Sequence, residues 1–302
     1  MADQRESVLK FGYFISRDKH KIRYGRAGTT RGKIKGVVLL LNGRSEFMEK
    51  YYEVVSELTY RGYNVLSLDW RGQGLSYREP ENRQKGYVET YDDYLNDLAI
   101  FYNGFVKTEE LPVTILAHSM GGHIAMRFVL ENQIAINRVV LVSPMVDINT
   151  SPFPWFIVRF LAKKACASGF SKAYVFGGSN YYPSKTKFKT NNLTHDPDRF
   201  LIEKNQIKKN SDLALGDVTW GWLMASFESI EILQTTSCKA KIETPILIIS
   251  AEKESIVSTH AQKILCQKLQ NCQFVSIPGA FHEILHETDD IRELFWNYFD
   301  HY

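Results

Sequence analysis

Val113-Thr114-Ile115-Leu116-Ala117-His118-Ser119-Met120-Gly121-Gly122 is the stretch that decides the fold. Its apolar run reads as a strand buried on both faces, and the small residues after it read as a sharp turn into a helix. The spacing has a chemical reason. A serine at the tip of a strained strand-to-helix turn presents its hydroxyl above a sheet. Strand and helix can then approach only if the residues two before and two after the serine are small. Ala117 stands where Gly is usual, and one methyl is a mild departure. A buried serine in an ordinary strand–helix turn is the plain alternative, and the rest of the chain weighs against it.

Outward from this turn, residues 37–41 (Val-Val-Leu-Leu-Leu) and 138–143 repeat the doubly buried pattern, and 64–68, 245–250 and 273–277 are expected as further strands. Helical spacing falls on 46–60, 91–105, 122–132, 261–269 and 290–299. Residues 8–16 and 20–25 alternate as an opening hairpin with Asp18-Lys19 at its turn. Alternating strands and helices predict an α/β fold with a mainly parallel sheet covered on both sides. The alternation breaks between about 144 and 236, where aromatic-rich helical pieces appear without a buried strand. The expected organisation is a core from 1–143 and 237–302, with 144–236 inserted as a helical cap over the carboxyl edge of the sheet, where active sites of such sheets lie.

A chain of 302 residues that is 44% hydrophobic and 24% charged has ample core for a soluble globular protein. Residues 1–22 are charged and lack the apolar stretch of a signal peptide, and no run approaches the roughly 20 apolar residues that cross a bilayer. A cytoplasmic location is therefore expected. Cys166, Cys238, Cys266 and Cys272 lack metal-ligand spacing and are expected as reduced thiols, although Cys266 and Cys272 are close enough in sequence to pair. The net charge of +3 hides a basic segment, 153–209, of balance +8, against −5 for the remainder. Its cations interleave with Phe153, Trp155, Phe156 and Phe160, which suits an anionic membrane surface better than nucleic acid. An ordinary solvated helix face is the alternative.

A serine nucleophile needs a base and a group that orients the base. His282, in the loop Pro278-Gly279-Ala280-Phe281-His282-Glu283 after a late strand, is the best placed of the histidines, and His286 is its rival. His118 and His123 adjoin the turn, but sequence neighbours there point away from the serine hydroxyl. The orienting acid is expected between Ser and His, and no Asp occurs from 218 to 288. In Ala251-Glu252-Lys253-Glu254 the acid is therefore a Glu, with Glu254 favoured over Glu252. The oxyanion needs backbone donors, assigned to the N–H of Met120, after the nucleophile, and of Arg44, in the flexible loop Asn42-Gly43-Arg44-Ser45-Glu46.

Together Asn42-Gly43-Arg44-Ser45-Glu46-Phe47, Asp69-Trp70-Arg71-Gly72-Gln73-Gly74-Leu75-Ser76, the Ser119 turn and Gly279-Ala280-Phe281-His282-Glu283 resemble the serine α/β-hydrolases of the monoglyceride lipase and bacterial lysophospholipase group. Thr219-Trp220-Gly221-Trp222-Leu223 and Ala251-Glu252-Lys253-Glu254 bring the chain nearest the lysophospholipase branch. Asn42 departs from the family's His, Ala117 from its Gly and Glu254 from its commoner Asp; no reacting group is lost. The resemblance implies an α/β-hydrolase fold and hydrolysis of single-chain acyl lipids through an acyl-enzyme on Ser119. The expected substrate is lysophospholipid or monoacylglycerol, with no cofactor and no metal. Asp69 and Gly72 would shape a turn beside the site. Trp155, Phe156, Phe160, Trp220 and Trp222 are candidates to line an acyl channel or meet a membrane surface. The basic cap favours a phosphate-bearing head group. A short-chain esterase or aminopeptidase would share the same triad, and a non-catalytic lipid-binding protein would not need it.

Overall fold

The computed structural model describes residues 9–79, 81–132, 134, 136–237 and 242–302; Val8 of the expected hairpin and Cys238 lie outside them. Lys10–Ile15 (β1) and Lys21–Ala27 (β2) form the opening antiparallel hairpin, with Lys19 at its turn in the left-handed region, φ 67°. Gly36–Leu41 (β3) and Tyr63–Leu68 (β4) follow, then Val113–His118 (β5), Arg138–Val142 (β6), Ile246–Ala251 (β7) and Cys272–Ile277 (β8). They make one eight-stranded sheet in the order β1-β2-β4-β3-β5-β6-β7-β8. The pairings on either side of β2 are antiparallel and all others parallel. This is an α/β-hydrolase sheet. Strands β3, β5, β6 and β7 are buried at every position, as unbroken apolar runs require, whereas the edge strands β1 and β8 are partly exposed.

Helices cover both faces because each parallel crossover must return over the sheet. On one face Tyr52–Tyr60 (α1) packs Val54 and Leu58 with Val38, Leu40, Leu116 and Val140 of the sheet. The last helix, Asp289–His301, joins that layer through Phe295 and Phe299. On the other face Tyr91–Phe101 (α2) and Ser119–Asn132 (α3) pack Leu98, Phe101, Ile124 and Phe128 against Val37, Leu39 and Val139. Thr90 caps α2, its side chain accepting from the Asp92 N–H at 2.8 Å. The expected helix over 46–60 is split: a 3-10 turn, Met48–Tyr51, precedes α1.

Between β6 and β7 lie Trp155–Ala167 (α4), Pro197–Lys209 (α5) and Trp220–Ser237 (α6), and among the described residues this stretch adds no strand to the sheet. Helix α4 buries Ala162 alone, so it lies on the outside. Helix α6 is buried along most of its length, and its Trp222, Ala225 and Leu233 join the apolar layer beneath α2 and α3. After β7 comes Thr259–Lys268 (α7), and the final helix is α8. The expectation of reduced thiols is corrected at two positions. The short turn from α7 into β8 brings Cys266 and Cys272 to a Cα separation of 5.3 Å, and they form a disulfide. Cys166 is free. No helix among the described residues is long and apolar enough to cross a membrane.

Candidate active site

Strand β5 ends at His118, and Ser119 turns the chain into α3 with φ 51°, a left-handed value that L residues rarely hold and that costs about 1–3 kcal/mol. The surrounding packing enforces it. A Cβ built on Gly121 would lie 2.4 Å from the Asn42 carbonyl oxygen and 2.6 Å from that of Leu41, so α3 can start here only with glycine. Ala117 sits in the buried register between Leu41 and Leu141, where its methyl is accommodated.

His282 reaches this turn from the loop after β8, its Nε2 3.1 Å from Ser119 Oγ. Its Nδ1 is 2.7 Å from Glu254 Oε2 in the loop after β7. Glu254 Oε1 is anchored by the backbone N–H groups of Ser255, Ile256 and Val257 at 2.9, 2.8 and 3.3 Å. Burial raises the Glu254 pKa, but the bond to His282, its charge and these amides outweigh burial, leaving the carboxyl below its ordinary value. Glu252, the runner-up acid, is exposed and accepts from the Gly279 N–H instead. His286 lies in a buried cluster with its Nε2 on the Lys50 carbonyl, 3.1 Å away, and makes no bond to Ser119. His123 bonds the Met145 carbonyl and Ser229, and burial beside Arg127 pushes it down to about 3.

The loop after β3 lies against the turn: a Cβ on Gly43 would stand 3.2 Å from Ser119 Cβ. Its amides are sorted by their partners. The Gly43 N–H donates to Glu46 Oε2 and the Ser45 N–H to Gln73 Oε1, while Gln73 Nε2 donates to the Gly43 carbonyl. The Arg44 N–H between them has no acceptor among the described residues. Met120 is in the first turn of α3, where N–H groups lack a helical acceptor. Asp69 binds the Met48 and Leu75 N–H groups and Arg23, and Gly72, with φ 79°, continues the turn that carries Gln73.

Residues 32–289 match the family model described as serine aminopeptidase, S33. The chain belongs to this hydrolase family. It is 30% identical over 282 residues to a probable lysophospholipase L2 of Haemophilus influenzae, covering 93% of this chain and 87% of that one. It is also 30% identical over 267 residues to lysophospholipase L2 of Escherichia coli, covering 85% and 77%. Among solved structures, a soluble variant of Saccharomyces cerevisiae monoglyceride lipase superposes with a TM-score of 0.78 at 18% identity, covering 97% and 94% of the two chains. A Bacillus coagulans carboxyl esterase gives 0.78 at 17%, covering 97% and 96%. The protein is thus a hydrolase of the lipase and esterase type.

In this hydrolase the five candidate aromatic residues separate into two groups. Trp155, Phe156 and Phe160 on α4 are 56%, 59% and 58% exposed and point outward. Trp220 and Trp222 at the start of α6 are buried. Trp222 lies against the Arg44 guanidinium, 5.0 Å from ring to carbon, and so borders the loop after β3; Trp220 packs on Phe176. Sequence reading missed the ionic cluster behind the site. Lys50 Nζ bonds Glu46 and Glu283 at 3.0 and 2.7 Å, and Tyr51 donates to Glu46. Glu46, Glu283 and His286 are spaced as metal ligands could be, but the Lys50 ammonium stands between the two carboxylates. The signal was faint: Glu46 and Lys50 are one helical turn apart, whereas Glu283 is 233 residues from Lys50.

Proposed function

We propose that the protein is a lysophospholipase that cleaves the acyl ester of single-chain phospholipids through an acyl-enzyme on Ser119. The observation that carries the reading is the continuous bond path Ser119–His282–Glu254 beside an unpaired Arg44 amide. Ser119 Oγ attacks the ester carbonyl as its proton passes to His282 Nε2, and Glu254 holds the imidazolium. The N–H groups of Met120 and Arg44 receive the negative charge that develops on the carbonyl oxygen. His282 then returns the proton to the departing glycerol oxygen. In the second half it takes a proton from water, whose oxygen attacks the acyl carbon and releases fatty acid and Ser119.

Three features support a phosphate-bearing head group over neutral glycerol. The two bacterial relatives at 30% identity are named lysophospholipases. The segment 153–209 carries a balance of +8. The Arg44 side chain bonds the carbonyls of Gly216 and Asp217 and the Ser45 hydroxyl, but pairs with no carboxylate among the described residues, and its Nε is left without an acceptor. A guanidinium so placed suits a phosphate. The test is a panel of lysophospholipids, monoacylglycerols and short p-nitrophenyl esters on the purified protein. The highest kcat/KM is expected on lysophospholipid; a preference for monoacylglycerol would replace the head-group reading. Arg44→Ala, which keeps the backbone donor, is expected to lower kcat/KM on lysophospholipid by about ten- to a hundredfold, the worth of a charged hydrogen bond. Monoacylglycerol turnover should change much less. Equal losses on both substrates would contradict a phosphate role for this side chain.

Residues 144–236 act in this reading as a cap on a core of 1–143 and 237–302, with α4 as its outer, membrane-facing element. Phe153, Trp155, Phe156 and Phe160 are exposed there beside the exposed Lys163 and Lys164, while Arg159 is engaged by Glu231 at 2.6 Å. Sedimentation with anionic vesicles should exceed that with zwitterionic ones, and the excess should shrink with salt. Lys163→Gln with Lys164→Gln should remove about 1 kcal/mol per site of that binding and spare short-ester turnover. Equal binding to both vesicle types, unchanged by salt, would return α4 to a solvated helix face.

A further inference from the structure

His118 precedes the turn serine, is buried behind it, and is bonded at both ring nitrogens. Nδ1 stands 3.1 Å from Glu46 Oε2, and Nε2 3.3 Å from the carbonyl oxygen of His282. A backbone carbonyl only accepts, and an ionised carboxylate only accepts. A neutral imidazole has one N–H and one bare lone pair, so it would satisfy one partner and turn its lone pair on the other. Only the doubly protonated ring donates to both.

The surrounding charges ask for the same state. Lys50 Nζ meets the carboxylates of Glu46 and Glu283, with Glu203 3.5 Å away on α5. A single ammonium therefore contacts two buried carboxylates with a third at hand, and a second cation balances them. Tyr51, the neighbour on the 3-10 turn, is held protonated by burial and by Glu46. His286 cannot be the cation, because burial and Lys50 push it down to about 4. For His118 burial opposes the charge, but Glu46, by its charge and its bond, and then Glu283 outweigh burial and raise the pKa.

We propose that His118 is a positioning residue that works as an imidazolium, tying the main chain of His282 to Glu46 and so setting the approach of His282 Nε2 to Ser119. The proposal rests on the reading of Ser119 and His282 as nucleophile and base. The carbonyl of His282 is held by His118, and the next residue, Glu283, is held by Lys50; both ties lead to Glu46. Glu46 Oε2 also accepts the Gly43 N–H, next to the Arg44 amide assigned to the oxyanion. Base and oxyanion loop thus share one frame. When His118 loses its proton, a lone pair faces either Glu46 or the His282 carbonyl, and the frame loosens. Lys50 and Tyr51 are raised above their ordinary ranges and so stay protonated, while Glu46, Glu283 and His286 are lowered below theirs. Glu203, raised by burial, adds negative charge on deprotonation and so favours the His118 cation, the opposite of an alkaline loss.

The test joins a spectroscopic and a kinetic measurement. In protein labelled with nitrogen-15 at histidine, the His118 signals, assigned by their loss in His118→Gln or, if that variant does not fold, in His118→Asn, should show both nitrogens protonated at pH 7. They should titrate above the ordinary histidine range. On a soluble p-nitrophenyl ester, wild-type kcat should fall on the alkaline side in step with that titration. His118→Gln should lose about 10²-fold in kcat, the cost of a misplaced reacting group, with KM nearly unchanged and the alkaline fall abolished. A His118 ring that is neutral at pH 7, or a variant that keeps wild-type kcat and its alkaline fall, would overturn the proposal. The nitrogen signals do not depend on turnover, so failure here is separable from failure of Ser119 to act as nucleophile, which labelling of Ser119 reads directly.

Discussion

Ser119→Ala is expected to lower kcat for ester hydrolysis by on the order of 10⁶-fold, the scale seen when the nucleophile of a serine triad is removed. The loss should come without unfolding. Among the described residues the hydroxyl makes one hydrogen bond, to His282 at 3.1 Å, so the stability change should stay within about 1 kcal/mol. Alanine inherits the same left-handed backbone at φ 51°, because Gly121 and the Asn42 carbonyl fix the turn, not the serine side chain. Urea unfolding and p-nitrophenyl ester turnover, measured on the same preparation, separate the two effects. An inactive variant that is also unfolded would leave the nucleophile unassigned, and an active one would refute it.

Glu254→Gln is expected to cost about 10⁴-fold in kcat, as a neutral amide does at the orienting position of a serine triad. The geometry gives the reason. Three backbone N–H groups point at Oε1, so the amide oxygen of a Gln is drawn to that side. Its NH2 then faces His282 Nδ1 and forces the imidazole proton to Nε2, where it blocks transfer from Ser119. Substrate binding should persist, measured as inhibition constants of an ether analogue. Glu252→Gln is the matched control: among the described residues Glu252 accepts from the Gly279 N–H alone, which an amide oxygen can also receive, so its kcat should stay near wild type. If Glu252→Gln were the crippled variant, the acid would be reassigned.

What could be read before the fold was known follows from which signals are local. Strands β3, β5, β6 and β7 announce themselves because burial on both faces demands unbroken apolar runs. The turn at Ser119 is legible because its small residues stand at fixed spacing within six positions, although the contacts that demand them, of Gly121 with the Leu41 and Asn42 carbonyls and of Gly122 with Pro144, come from distant parts of the chain. The lack of Asp in the relevant loop leaves Glu252 and Glu254, with Glu254 favoured by its place in the loop, and the structure has Glu254 at 2.7 Å from His282 and Glu252 on the Gly279 N–H. The helix over 46–60 was misjudged at its start, where Glu46 and Lys50 turn inward to a buried cluster and the chain takes a 3-10 turn. His118 does point away from the Ser119 hydroxyl, but it ends on the carbonyl of His282, a contact 164 residues distant that no local period encodes. The disulfide was ambiguous for a related reason: spacing permits pairing, and only the turn from α7 to β8 brings the two cysteines together. The aromatic residues of 144–236 share one composition, yet α4 exposes its rings and α6 buries them, because only α6 has α2 and α3 to pack against.

Ser119 is expected to be the one serine that becomes acylated. This is tested most directly by treating the protein with a fluorophosphonate, digesting it with trypsin and mapping the adduct by mass spectrometry. A single phosphonylated site is expected in the peptide spanning 108–127, at Ser119, with labelling lost in Ser119→Ala and strongly slowed in His282→Ala. An adduct on a different serine, or labelling of Ser119→Ala as fast as wild type, would contradict it.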